Sequence, residues 1–125
     1  SDADVLIHAL MDAMLGAAGL RDIGYYFPPE DDQYKGISSM LLLEKVNFLL
    51  KERGLQAYNI DIMVISETPK LKPHIDMMKA NLQSILEIPL DRISIKATTN
   101  EMLGAIGRRE GIAAQAVVSV YEGEI

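Results

Sequence analysis

The stretch YNIDIMVISE, residues 58–67, decides the fold. Ile60, Ile62 and Val64 alternate with Asp61 and Met63, which is the pattern of a strand with one buried face. Next comes TPKLKPHIDMMKANLQSILE, residues 68–87. It turns at Pro69 and continues as a helix from about Pro73, a residue preset for a first helical turn. RISIKATT, residues 92–99, is then a second, short strand.

Working outward, SDADVLIHALMDAMLGAAG at residues 1–19 predicts a helix over 4–18, capped by Ser1 or Asp2 and ended by Gly19. Its expected buried side is Val5, Leu6, Leu10, Ala13, Met14 and Ala17. Residues 20–37, LRDIGYYFPPEDDQYKGI, read as loop. A second helix starts near Ser38 or Ser39, carries MLLLEKVNFLLKER and stops at Gly54. NEMLGAIGRREG, residues 100–111, is a helical turn running into a glycine-rich loop, and IAAQAVVSVYEG, residues 112–123, is a closing strand. The expected fold is a single-layer α/β (α+β) sandwich, a mixed sheet with helices packed on one face.

The chain has 125 residues, 49 % of them hydrophobic and 24 % charged, as expected for one globular domain. A net charge of −6 argues against a general nucleic-acid surface. With no cysteine, disulfides, thiolate nucleophiles and sulfur-ligated metals are excluded. No stretch is apolar for long enough to span a bilayer, and no signal peptide is evident. Because the chain opens at Ser1, already at a helix cap, an upstream natural segment is expected.

Four constellations offer chemistry. Asp4, His8 and Asp12 lie four apart on one helical face, so His8 is either a metal ligand oriented by a carboxylate or part of a solvated polar face. KATTNEMLG, residues 96–104, ends a strand in two hydroxyls and turns into a short helix. That makes a phosphate cradle with Glu101 placed for a cation, or a plain N-cap with Glu101 closing a capping box. SETPKLKPH, residues 66–74, follows a strand with a rigid turn and two lysines: a base and phosphate pocket, or a solvated turn. GRREG, residues 107–111, suggests anion binding by paired arginines, or an ion pair with Glu110.

The blocks SDADVLIHALMDAMLGAAGLRDIG, FPPEDDQYKG, PKLKPHI, IKATTNEMLG and GRREGIAAQAV resemble, in one register without gaps, the 2-C-methyl-D-erythritol 2,4-cyclodiphosphate synthase family of the non-mevalonate isoprenoid pathway. The resemblance implies a homotrimeric lyase with active sites between subunits. It would cyclise 4-diphosphocytidyl-2-C-methyl-D-erythritol 2-phosphate and release CMP, in the bacterial cytoplasm or, in a plant or apicomplexan, a plastid. It implies one zinc per site and a magnesium or manganese bridging the diphosphate. An isoprenoid diphosphate on the trimer axis is a further implied partner.

Residue by residue, the resemblance makes His8 a zinc ligand and Ser1 a phosphate contact. Asp22, Ile23 and Gly24 would meet the erythritol, and Phe27, Pro28, Pro29, Glu30 and Asp31 would form a mobile loop over the substrate. Ser66, Glu67, Thr68, Pro69, Lys70, Leu71 and Lys72 would form the cytidine pocket. Thr98, Thr99, Asn100 and Glu101 would form the diphosphate and magnesium site, with Thr99 stabilising the transition state. Ala105 and Arg108 would lie near the trimer axis and the substrate end. The family's Asp-x-His motif, which supplies two more zinc ligands, and a histidine before the matching serine would lie upstream of Ser1. Lys72 and Ala105 replace an apolar residue and a phenylalanine common in the family. The alternative is a trimeric module that holds a cytidine nucleotide or isoprenoid diphosphate without turnover.

Overall fold

The structure is a computed structural model that describes residues 2–68 and 70–123, apart from the side chains of Asp2 and Ala3. Three strands form one mixed sheet: β1 (Leu55–Ile65), β2 (Ile93–Thr98) and β3 (Ala113–Glu122), in the order β2-β1-β3. β1 runs parallel to β2, with Ile60 opposite Ile93 and Ile65 opposite Thr98, and antiparallel to β3, with Ile62 opposite Ala116. The register slips between Ala57 and Asn59, so Tyr58 bulges out of the ladder. Its ring meets Tyr121 edge-on and lies under the Arg92 guanidinium.

The expected alternation holds. Ile60, Ile62 and Val64 are fully buried and, with Ile93 and Ile95, floor the core. The helices α1 (Asp2–Ala17), α3 (Ser39–Glu52) and α4 (Ile75–Leu86) complete the core against this floor, and α1 packs mainly on β3. α1 buries a different and broader face than the expected one. Ile7, Met11 and Leu15 join Leu6, Leu10 and Met14 inside, whereas Ala17 is exposed and Val5 and Ala13 are only half-buried. A helix wedged between a sheet and a second helix needs more than a 100° stripe.

Helix ends follow the sequence closely. Leu20 N–H bonds to Leu15 and Gly19 N–H to Gly16, a Schellman closure in which Gly19 has φ +72°. Gly54, at φ +73°, follows α3 and its N–H bonds to the Lys51 carbonyl, and the Ser38 hydroxyl accepts from Leu41 N–H at the helix head.

Two expectations change. Residues 20–37 are not all loop, because Ile23–Tyr26 form a one-turn helix, α2. The helix expected at Asn100 begins only at Gly104, as the four-residue α5 (Gly104–Gly107). Glu101 and Met102 lie in the left-handed region, at φ 53° and 61°, so no helix can start there.

Candidate functional site

Because β1 and β2 are parallel, they end at the same edge, and the loops after them leave side by side. Carboxyl ends of parallel strands are where α/β sheets bind ligands. A pocket of about 200 Å³ opens here, lined by Val64 of β1 with Ser66, Glu67, Lys70, Leu71 and Lys72 of the segment after it, and by Ala97 and Thr98 of β2 with Thr99 just beyond. Two stretches that the sequence offered as separate sites thus form one. Val64, Leu71 and Ala97 make an apolar floor fit for a planar ring, and two ammonium groups and two hydroxyls suit an anion.

The loops are stitched together. Ser66 N–H donates to the Thr98 carbonyl at 2.9 Å, and Asn100 N–H donates to Glu67 Oε2 at 2.5 Å. Within each loop, Ser66 Oγ donates to the Thr68 carbonyl and Asn100 Nδ2 to the Leu103 carbonyl. Glu101 N–H donates to Thr99 Oγ1 at 3.3 Å. The Asn100 and Glu101 amides that follow the two threonines are thus engaged by side chains. Thr98, Thr99 and Glu101 are exposed, and Pro69 lies outside the described residues.

The Asp4–His8–Asp12 stripe resolves into three separate tasks. The Asp4 carboxylate lies beside Ser39 at the head of α3. Asp12 Oδ1 accepts the Ile23 N–H at 3.0 Å, tying α2 to α1. His8 stands exposed between them. Asp12 is thus the residue that positions Asp22, Ile23 and Gly24, a role its place beside His8 concealed. Asp22 sits at the N-cap of α2 but makes no cap bond, which leaves its carboxylate exposed.

Phe27 packs edge-on against Tyr34, and the turns after it close through Asp31 N–H to the Pro28 carbonyl and Gln33 N–H to Asp31 Oδ1. The Asp31 carboxylate therefore shapes its own loop, while Pro29 and Glu30 are exposed and Pro28 is half-buried. Ala105 and Arg108 are also exposed, and Arg108 pairs with Glu110 at 2.7 Å, the plainer of its two sequence readings.

Ser1 lies outside the described residues. Among the described residues no three His, Asp or Glu side chains gather to hold a metal ion. His8 alone does not fit catalytic zinc, which takes three protein ligands, and Glu101 offers one carboxylate. His8 and the 22–24 and 27–31 segments do not line the pocket at residues 66–72 and 98–99.

The YgbB family profile matches residues 1–121. A 2-C-methyl-D-erythritol 2,4-cyclodiphosphate synthase of Nostoc punctiforme is 58 % identical over 118 residues, 94 % of this chain and 74 % of that protein. The synthase of the same name from Thermosynechococcus vestitus is 58 % identical over 98 % of this chain and 76 % of its own length. Among solved structures, a CDP-bound 2C-methyl-D-erythritol-2,4-cyclodiphosphate synthase superposes with a TM-score of 0.84 at 34 % identity, covering 92 % of this chain and 74 % of that one. The bifunctional IspDF of Campylobacter jejuni superposes with a TM-score of 0.88 at 45 % identity, over 93 % of this chain but 31 % of its own. The chain belongs to the YgbB family, whose members similar to it are 2-C-methyl-D-erythritol 2,4-cyclodiphosphate synthases.

Proposed function

We propose that the chain cyclises 4-diphosphocytidyl-2-C-methyl-D-erythritol 2-phosphate to 2-C-methyl-D-erythritol 2,4-cyclodiphosphate and CMP. The observation that carries this is the joining of the 66–72 turn and the Thr98–Thr99 hydroxyls in one apolar-floored, cation-rimmed pocket. An oxygen of the 2-phosphate forms a bond to the β-phosphorus. The bond from that phosphorus to the bridging oxygen breaks, and its electron pair leaves on CMP. The work is positioning and charge stabilisation, as in phosphoryl transfer generally.

In this reading the cytosine rests on the pocket floor, with Lys70 and Lys72 at its rim. Thr98 and Thr99 hydroxyls meet the diphosphate, and the exposed Asp22 carboxylate accepts from the erythritol diol. The 27–31 segment covers the substrate, and Arg108 and Ala105 lie toward its far end. His8 and Glu101 would each offer one donor, to zinc and to magnesium or manganese, ions that would neutralise phosphate charge, and the bond changes above are drawn without either.

The assembly proposed is a homotrimer in which His8 and Asp22 of one subunit face the cytidine pocket of the next. Their separation within one chain supports this, as does a sheet whose outer face no helix covers among the described residues. Met63, Lys96, Gln115 and Val117 stand on that face, with Val117 71 % exposed. An isoprenoid diphosphate on the trimer axis and a cytoplasmic setting belong to the same proposal. Among the described residues no helix is long and apolar enough to cross a membrane.

Incubating the intact protein with substrate and magnesium, and following CMP by chromatography and the cyclic diphosphate by ³¹P NMR, tests the reaction. Stoichiometric CMP and cyclic product are expected. CDP binding without CMP release would overturn the enzyme in favour of a non-catalytic nucleotide module.

A further inference from the structure

The Glu67 carboxylate poses a problem. It lines a pocket otherwise suited to phosphate, beside Lys70, Lys72 and two threonine hydroxyls. An unengaged carboxylate there would repel a diphosphate, the more strongly the less water screens the pair. The side chain is half-buried, and its Oε2 accepts the Asn100 N–H at 2.5 Å from across the gap between the two loops. A hydrogen bond to an ionised acceptor is among the stronger kinds. It offsets part of the charge and consumes the amide that a phosphate would otherwise compete for.

What this bond holds is a costly backbone. Immediately after Asn100, Glu101 and Met102 are consecutive left-handed residues, neither of them glycine. Such conformations persist only where the surroundings impose them. On one side the turn is backed by Gly107, where a Cβ would sit inside the backbone of Met102. On the other side Glu67 is the side chain that reaches it from the neighbouring loop. Between these two supports lie Thr99, whose hydroxyl is fixed by Glu101 N–H, and Glu101 itself.

We propose that Glu67 is a positioning residue: by gripping the Asn100 amide it locks the 98–103 turn in the form that presents Thr99 and Glu101, and so couples the base-side loop to the phosphate-side loop. This rests on the nucleotide reading of the pocket given above. It moves Glu67 from the cytidine contacts implied by resemblance to a role exerted through Asn100. Because the grip needs an acceptor oxygen and not a charge, glutamine at this position retains it.

The test compares Glu67→Ala and Glu67→Gln in the intact protein, with CDP and CMP as probes in calorimetry and the Asn100 amide followed by NMR and hydrogen exchange. Glu67→Ala is expected to weaken CDP about tenfold, as loss of a bond to a charged group does, while CMP changes less than about twofold. Glu67→Gln is expected to restore CDP affinity to within about threefold. In Glu67→Ala the Asn100 amide exchanges faster and its proton resonance moves upfield, while the amides of β1 stay protected. Equal losses of CDP and CMP, or a glutamine variant as impaired as the alanine one, would overturn the proposal. So would an unchanged Asn100 amide in Glu67→Ala, whether or not nucleotide binds. Failure of the wild-type protein to bind either nucleotide, with the Asn100 signature intact, would instead sink the nucleotide reading and leave the clamp standing.

Discussion

Replacing Gly107 with alanine should damage both stability and the candidate site, because of where its single methyl group goes. The new Cβ would meet the Met102 carbonyl carbon, Cα and oxygen, all backbone atoms and none the free end of a side chain. No rotamer change relieves such a clash, so the 98–103 turn or α5 must move. Forcing a methyl into occupied space costs about 1–3 kcal/mol, and for a domain near this size each kcal/mol lowers Tm by roughly 4 °C. A fall in Tm of about 4–12 °C is therefore expected. Thr99 and Glu101 ride on the displaced turn, and a misplacement of about 1 Å costs on the order of 10²-fold in turnover. Scanning calorimetry and CMP release measure the two effects. Gly16→Ala is the matched control: it lies in α1 with nothing within 4 Å of its would-be Cβ, so it should gain about 0.5–1 kcal/mol. A Gly107→Ala protein with wild-type Tm and turnover would refute the claim that this contact shapes the site.

Leu10 is fully buried in α1, so Leu10→Ala should cost about 2–5 kcal/mol in urea or thermal unfolding; a loss under about 1 kcal/mol would mean that the site collapses around the gap. Asp12→Ala frees the Ile23 amide and should loosen α2 by about 0.5–2 kcal/mol, read as faster hydrogen exchange at Ile23 and a raised substrate KM at nearly constant CDP affinity. Thr99→Ala combined with Lys70→Ala removes a hydroxyl and an ammonium from one pocket and should weaken CDP by at least about tenfold in calorimetry; undiminished affinity would move the nucleotide elsewhere.

The strands were legible because their signal is local. In residues 60–64 the apolar Ile60, Ile62 and Val64 fall on every second position, and these three are fully buried. Gly19 and Gly54 marked helix ends for an equally local reason, since a positive φ is cheap only for glycine. The turn at 98–103 was misread because the same logic points the wrong way there. Thr-Thr-Asn-Glu looks like a helix start, yet Glu101 and Met102 adopt positive φ despite carrying side chains. The groups that impose this, Glu67 and Gly107, are remote or featureless in sequence. Asp12 was misread similarly: its true partner, Ile23 N–H, lies beyond the end of α1, and no helical periodicity reports it. That the 66–72 and 98–99 stretches share one pocket follows from the parallel pairing of β1 and β2, which neither stretch encodes alone.

The packing of α1 on β3 has a consequence for how the protein is made. Residues 2–17 leave the ribosome first and residues 113–122 last among the elements described, yet each covers the other. At translation speeds of about 5–20 residues per second, α1 waits on the order of 5–20 s for its partner strand. Throughout that interval Leu6, Leu10 and Met14, all fully buried in the finished molecule, belong to a helix that lacks the strand it mainly packs on. Vectorial folding can pre-form contacts among α1, α3, β1, α4 and β2, but the core is completed only after β3 emerges. A stop codon placed just before residue 113 would remove the main packing partner of α1 and yield a polypeptide with an open core, expected to be cleared by proteases instead of accumulating as a shortened enzyme.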